Sequence, residues 1–137
     1  MNSLPNELQK AKDFHSHLGP YLVIGLRMGQ AIVKRLGQEP FSMSITCYTG
    51  SKPPLSCIVD GLQLSTPCTV GNGGIVIRDG GGVKISAVQG DRRLELSLKS
   101  AIWKQIKAVE SSDELEALAL RLWRLEESEL LALQGEE

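Results

Sequence analysis

The sequence predicts an α+β fold in which a mostly antiparallel sheet packs against N-terminal and C-terminal helices. Three observations predict it. Apolar residues recur at helical spacing before residue 37 and after residue 99. Between residues 42 and 98 lie runs rich in Ile, Val and Thr. The turns Asp79-Gly80-Gly81-Gly82 and Gly90-Asp91 are of hairpin length, which favours an antiparallel meander.

Leu4, Leu8, Ala11 and Phe14 or His15 set a first helix over 4–15, with Ser3 as its cap and Pro5 in its first turn. Gly19-Pro20 breaks it. A second helix runs over 21–36 and stops at Gly37. Leu22, Ile24, Leu26, Met28, Ile32 and Val33 make it apolar on more than one side, which predicts a central position. Gly25 and Gly29 lie one turn apart inside it. Each costs about 1 kcal/mol against alanine, so a neighbour is expected to press close to that face. Residues 42–48 read as a strand. Pro53-Pro54 opens a short helix reaching about Leu64, and 66–74 is a glycine-rich loop. Strands follow over 75–78, 83–88 and 92–98, and a helix over 100–109. Ser111 with Glu114 offers a capping box, after which Leu115, Leu118, Ala119, Leu122 and Leu125 share one face. Helical turns over 128–133 are expected to close the chain.

The 137 residues, 1–137, are read as one domain. Aromatic residues are only 4%, so the core must be aliphatic. A formal net charge of -1 gives no general attraction to nucleic acid, and none is expected as a partner. The longest apolar stretch, Tyr21 to Leu36, contains Arg27, Lys34 and Arg35 and is too short and too charged to span a bilayer, so no membrane partner is expected. No charged-then-apolar leader opens the chain, and three cysteines form no disulfide framework. A reducing, cytoplasmic location is the expectation.

The residues with chemistry are sparse. Both histidines lie in one H-x-H, His15-Ser16-His17, a donor pair suited to zinc or iron when the segment turns. Cys57 falls near the start of the helix opened by Pro53-Pro54, where the helix dipole is expected to lower a thiol pKa. Asp60 and Gln63 follow on nearly the same face. Cys68 leads into Thr69-Val70-Gly71-Asn72-Gly73-Gly74, whose N–H groups could cradle an oxyanion. Cys47 reads as core filler in a strand. There is no C-x-x-C, H-E-x-x-H or G-x-S-x-G, so any site must be assembled from distant segments.

Taken together, the segments resemble the FmdE family, named for one of the subunits of molybdenum formylmethanofuran dehydrogenase. Phe14-His15-Ser16-His17-Leu18-Gly19-Pro20 is similar to its F-H-G-H-x-C/G-P opening. Gly25, Arg27, Gly29 and Ala31 match its G-x-R-x-G-x-x-A helix. Cys57, Asp60 and Gln63 match its C-x-x-D-x-x-Q helix, and Thr66 to Gly73 resembles its T-G-C-T-x-G-K-G loop. The resemblance implies an α+β core, a homodimer, and a cleft holding a metal or a reactive cysteine. Its site would use His17 and Cys57, with His15, Asp60 and Cys68 nearby. The chain departs from the pattern at Gly19, where many relatives carry cysteine, at Asn72, where they carry lysine, and at Pro67, where they carry glycine. Some relatives add a cysteine-rich zinc finger. This chain ends in helices without cysteine and resembles the core alone.

Three readings follow, and they leave open whether the chain is an enzyme. In the first, His17 and Cys57 hold a transition metal, zinc above all, with His15 or Cys68 as the third ligand and water or substrate completing the shell, and Asp60 orients a ligand or moves a proton. Gln63, Thr69, Gly71 and Asn72 would then contact an unknown small molecule. In the second, Cys57 is a nucleophile in metal-free thiol chemistry. In the third, the chain is a non-catalytic binding or assembly component. Leu115, Leu118, Leu122 and Leu125, with Trp103 and Trp123, form either a dimer surface or part of the core.

Overall fold

The computed structural model describes residues 4–136. In chain order the elements are α1 (Asn6–His15), α2 (Pro20–Leu36), β1 (Met43–Cys47), α3 (Cys57–Ser65), β2 (Ile75–Ile77), β3 (Lys84–Gln89), β4 (Arg92–Leu98), α4 (Ser100–Lys107), α5 (Ser112–Arg124), α6 (Glu127–Leu130) and β5 (Leu131–Glu136). The expected cap Ser3 lies outside the described residues. Ser111 caps α5 as its sequence implies, its Oγ accepting from the Glu114 N–H at 3.2 Å.

The sheet has the order β2-β1-β3-β4-β5. Its pairings are antiparallel except β1 with β2, which run parallel with Ile45 opposite Ile75. Met43, Ile45 and Cys47, then Ile85 and Ala87, then Leu94 and Leu96, alternate onto one buried face. Two sequence expectations change here. The Asp79-Gly80-Gly81-Gly82 turn does not close a hairpin: β1 lies between β2 and β3, pairing antiparallel with β3 and parallel with β2, because α3 joins β1 to β2 as a crossover and crossovers join parallel strands. The chain also does not end in helical turns over 128–133. The α6 turn stops at Leu130, and β5 pairs antiparallel with β4, Leu131 opposite Leu98. Leu131 is buried there. A partner strand with free ladder groups outweighs the weak helical preference of so short a segment.

The helix α2 is central, as its all-round apolarity requires. Leu22, Val23, Ile24, Met28 and Ile32 are wholly buried. It packs against α3, α5 and the β3–β4 part of the sheet. Leu118, Ala119 and Leu122 of α5 are buried in the same core, so this leucine face is intramolecular. Arg27 ties the two helices: its Nη1 donates to the carbonyls of Leu122 (2.8 Å) and Trp123 (3.0 Å) at the end of α5. Those carbonyls have no partner inside the helix. No described helix is long and apolar enough to cross a membrane.

Candidate functional site: a histidine–cysteine cleft

Glycine sets the frame of the site. A Cβ on Gly25 would strike the carbonyl of Ile58, and one on Gly61 would strike that of Leu22 and lie 2.6 Å from the Leu26 nitrogen. One on Gly29 would strike the Ser65 hydroxyl. The paired positions rise together along both chains, so α2 and α3 cross closely while running in the same general direction. Their N-terminal ends therefore meet on one side of the core. The C-terminal end of α1 arrives at the same place, because Ser16 takes a left-handed conformation (φ 86°) and turns the chain into α2. His15 and His17, the first turn of α2 and the first turn of α3 are brought together this way.

His15 Nδ1 lies 2.5 Å from Asp60 Oδ2. A carboxylate can only accept the Nδ1 proton, and in the neutral form of the ring that leaves the lone pair on Nε2. That Nε2 is buried and has no hydrogen-bond partner. The His17 ring sits beside it, centroids 4.7 Å apart and tilted by 38°. Behind Asp60, Gln63 Nε2 donates to Oδ1 at 3.4 Å, and Gln63 Oε1 accepts from the Val70 N–H at 2.9 Å.

His15, His17 and Cys57 line one cleft of about 480 Å³. Its remaining walls are largely apolar: Leu18, Pro20, Tyr21 and Leu22 from one side, and Ile106, Val109 and Leu115 from the α4–α5 region, with Lys12, Lys107 and Glu116 also lining it. Size and lining suit a small organic ligand. Burial pushes the Tyr21 phenol up. Tyr21 belongs to the cleft although nothing in the sequence reading singled it out. The available signal was its place directly after His15-Ser16-His17-Leu18-Gly19-Pro20, as one of only two tyrosines. The α4–α5 wall had no local signal at all.

Cys57 opens α3, but its thiol is not activated as expected. Burial pushes its pKa up, and the charge of Asp60 adds to that. These two effects outweigh the helix end, where the Cys57 N–H is already bonded to the Pro54 carbonyl at 3.1 Å.

Cys68 is not in the cleft. It is buried, and its thiol donates to the Met43 carbonyl at 3.4 Å. The loop after it does not hold its N–H groups outward. Asn72 Oδ1 accepts from Thr69 N–H (3.0 Å) and Gly74 N–H (2.9 Å), the Asn72 N–H donates to Thr69 Oγ1 (2.9 Å), and the Gly73 N–H donates to the Val70 carbonyl (3.1 Å). Gly71, where a Cβ would meet only Thr69 Oγ1 at 3.8 Å, belongs to the same closed turn. Cys47 is core filler as expected, wholly buried, its thiol pushed up to about 12 by burial.

A family model described as FmdE, molybdenum formylmethanofuran dehydrogenase operon, matches residues 14–133. The chain belongs to the FmdE family. Among solved structures, this FmdE-family chain is similar to a tungsten formylmethanofuran dehydrogenase FmdE-like protein from Syntrophus aciditrophicus. The TM-score is 0.69 at 22% identity, over 95% of this chain and 70% of that one. At that identity the likeness concerns the fold. The FmdE-family chain is also 30% identical over 87 residues to a probable S-adenosyl-L-methionine-binding protein of Archaeoglobus fulgidus. The match takes in 57% of this chain and only 22% of that relative.

Proposed function

We propose that this FmdE-family protein binds a small molecule in the cleft, and that His15, His17 and Cys57 hold a zinc-class transition metal at its polar end. The observation that carries the reading is His15: one ring nitrogen is fixed on a carboxylate and the other is buried without a partner. That is the arrangement of a metal-ligating histidine with its outer-sphere carboxylate. The donor types, two imidazoles and a thiol, suit zinc or a neighbouring metal. The set is incomplete as folded. Among the described residues no three His, Cys, Asp or Glu side chains surround one point. A Cβ on Gly19 would lie 3.4 Å from His17 Nε2, so the cysteine that many relatives carry at this position would stand beside the imidazole.

A bound metal would supply a Lewis acid or a water of lowered pKa. The chain's own residues hold the His15 proton on Nδ1 and leave the buried Nε2 without a partner, in a ring that borders the cleft. Metal-free thiol chemistry is less well supported, because burial and Asp60 keep Cys57 protonated. Zinc titration by calorimetry tests the reading: wild-type protein should bind one equivalent, and His15→Ala and Cys57→Ser should each lose it. Wild-type protein that takes up no zinc, cobalt or iron would overturn it. S-adenosyl-L-methionine, in the name of the Archaeoglobus relative, is the first organic ligand to titrate.

A further inference from the structure

We infer that Gln63 is a positioning residue, which fixes the His15 tautomer through Asp60 and does not itself touch the ligand. The inference rests on the reading of His15 as a ligand through its buried, unpartnered Nε2. Three contacts form a continuous line. The Val70 N–H donates to Gln63 Oε1 at 2.9 Å, Gln63 Nε2 donates to Asp60 Oδ1 at 3.4 Å, and Asp60 Oδ2 accepts from His15 Nδ1 at 2.5 Å. Gln63 is absent from the cleft walls, whereas His15 is among them.

The direction of the amide is decided by the backbone. A main-chain N–H can only donate, so the Val70 N–H selects the Gln63 oxygen and turns the NH₂ toward Asp60. Each Asp60 oxygen then has its own donor, and rotation of the carboxylate would break both contacts. A carboxylate held this way accepts the His15 Nδ1 proton, which in the neutral ring places the lone pair on Nε2. In water the histidine ring prefers the opposite tautomer, with the proton on Nε2, which would block a metal or a substrate proton there. The glycine-rich loop thus contributes to the site from a distance, through one peptide N–H at Val70.

The two histidines make this directly readable, since nitrogen–proton correlation spectra of ¹⁵N-labelled protein contain only two imidazoles. Above the imidazole titration range, wild-type His15 should show the Nδ1–H tautomer. Gln63→Leu removes both bonds at similar size and should move His15 to a tautomer mixture or to Nε2–H, and weaken zinc binding roughly tenfold. Gln63→Glu keeps an acceptor for Val70 but offers no donor to Asp60, so it should have the same effect on His15 and serves if the leucine variant does not fold. Val70→Ala keeps the N–H and should leave the tautomer unchanged. A purely structural Gln63 would lower stability without moving the His15 signals, and an unchanged tautomer in a folded Gln63 variant overturns the inference. If the tautomer shifts as expected but wild-type protein binds no metal, the positioning role stands and the metal reading falls.

Discussion

Replacing Gly61 by alanine tests whether the close crossing of α2 and α3 builds the site. The new Cβ would strike the Leu22 carbonyl and lie 2.6 Å from the Leu26 nitrogen and 2.7 Å from the Gly25 carbonyl carbon. An unstrained contact needs about 3.4 Å, so α3 must retreat by close to an ångström. All three obstacles are backbone of a buried helix, and none can rotate away. Ordinary overpacking costs about 1–3 kcal/mol. This case belongs at or above the top of that range, and alanine's helix propensity returns only about 1 kcal/mol. A net loss of at least about 2 kcal/mol is expected, a large part of a typical domain's stability of about 5–15 kcal/mol. Urea denaturation at constant m-value measures it. Because α3 carries Asp60, the His15 ring signals should shift in the folded fraction as well. Gly71→Ala is the internal control: its Cβ would meet only Thr69 Oγ1 at 3.8 Å, so its effect should stay within about 0.5 kcal/mol. If Gly61→Ala is as mild as that control, the helices are not held together by glycine and the reasoning fails.

Alkaline stability should reveal Cys47. Its thiol is pushed up from 9.0 to about 12 in the folded protein, so its contribution is complete below pH 9. Above pH 9 the unfolded chain releases the proton while the folded one keeps it, and stability falls by about 1.4 kcal/mol per pH unit up to pH 12. Cys47→Ala should show a shallower alkaline slope in denaturation melts, and an identical slope would contradict the assignment. Iodoacetamide should alkylate Cys57 with a pH midpoint above that of a free thiol, because burial and Asp60 both oppose ionisation; a midpoint below it would revive the activated-thiol reading. Arg27→Met removes two hydrogen bonds to the last carbonyls of α5 and should cost about 2 kcal/mol in chemical denaturation; no measurable loss would show that solvent caps α5 equally well. Gly19→Cys places a thiol beside His17 Nε2 and should tighten zinc binding roughly tenfold, about 1.4 kcal/mol, in a calorimetric titration; unchanged affinity would argue that His17 is not a ligand.

Much of this protein was legible before folding. Periodicity located α2 and its central burial, and two glycines costly to a helix announced a close neighbour. The H-x-H and Cys57 were marked by residue type, because the chain has only two histidines and three cysteines, and Asp60 and Gln63 by their helical spacing from Cys57. The strand at residues 131–136 was not legible. Its leucines suit either a helix end or an edge strand, and only the free ladder of β4 decides between them. Nor could spacing separate His15, His17 and Cys57, which share a cleft, from Cys68, which is bonded to the Met43 carbonyl away from it. The same limit hid the state of the Cys57 thiol. A helix start is a local feature that sequence can announce, but burial and the nearness of Asp60 are set by what packs around it, and here they prevail. The sequence determined which groups were available for chemistry. The tertiary structure determined which of them meet, that His15 turns Nδ1 to Asp60 and that burial holds the thiols protonated, because desolvation and hydrogen-bond direction depend on neighbours that are distant along the chain.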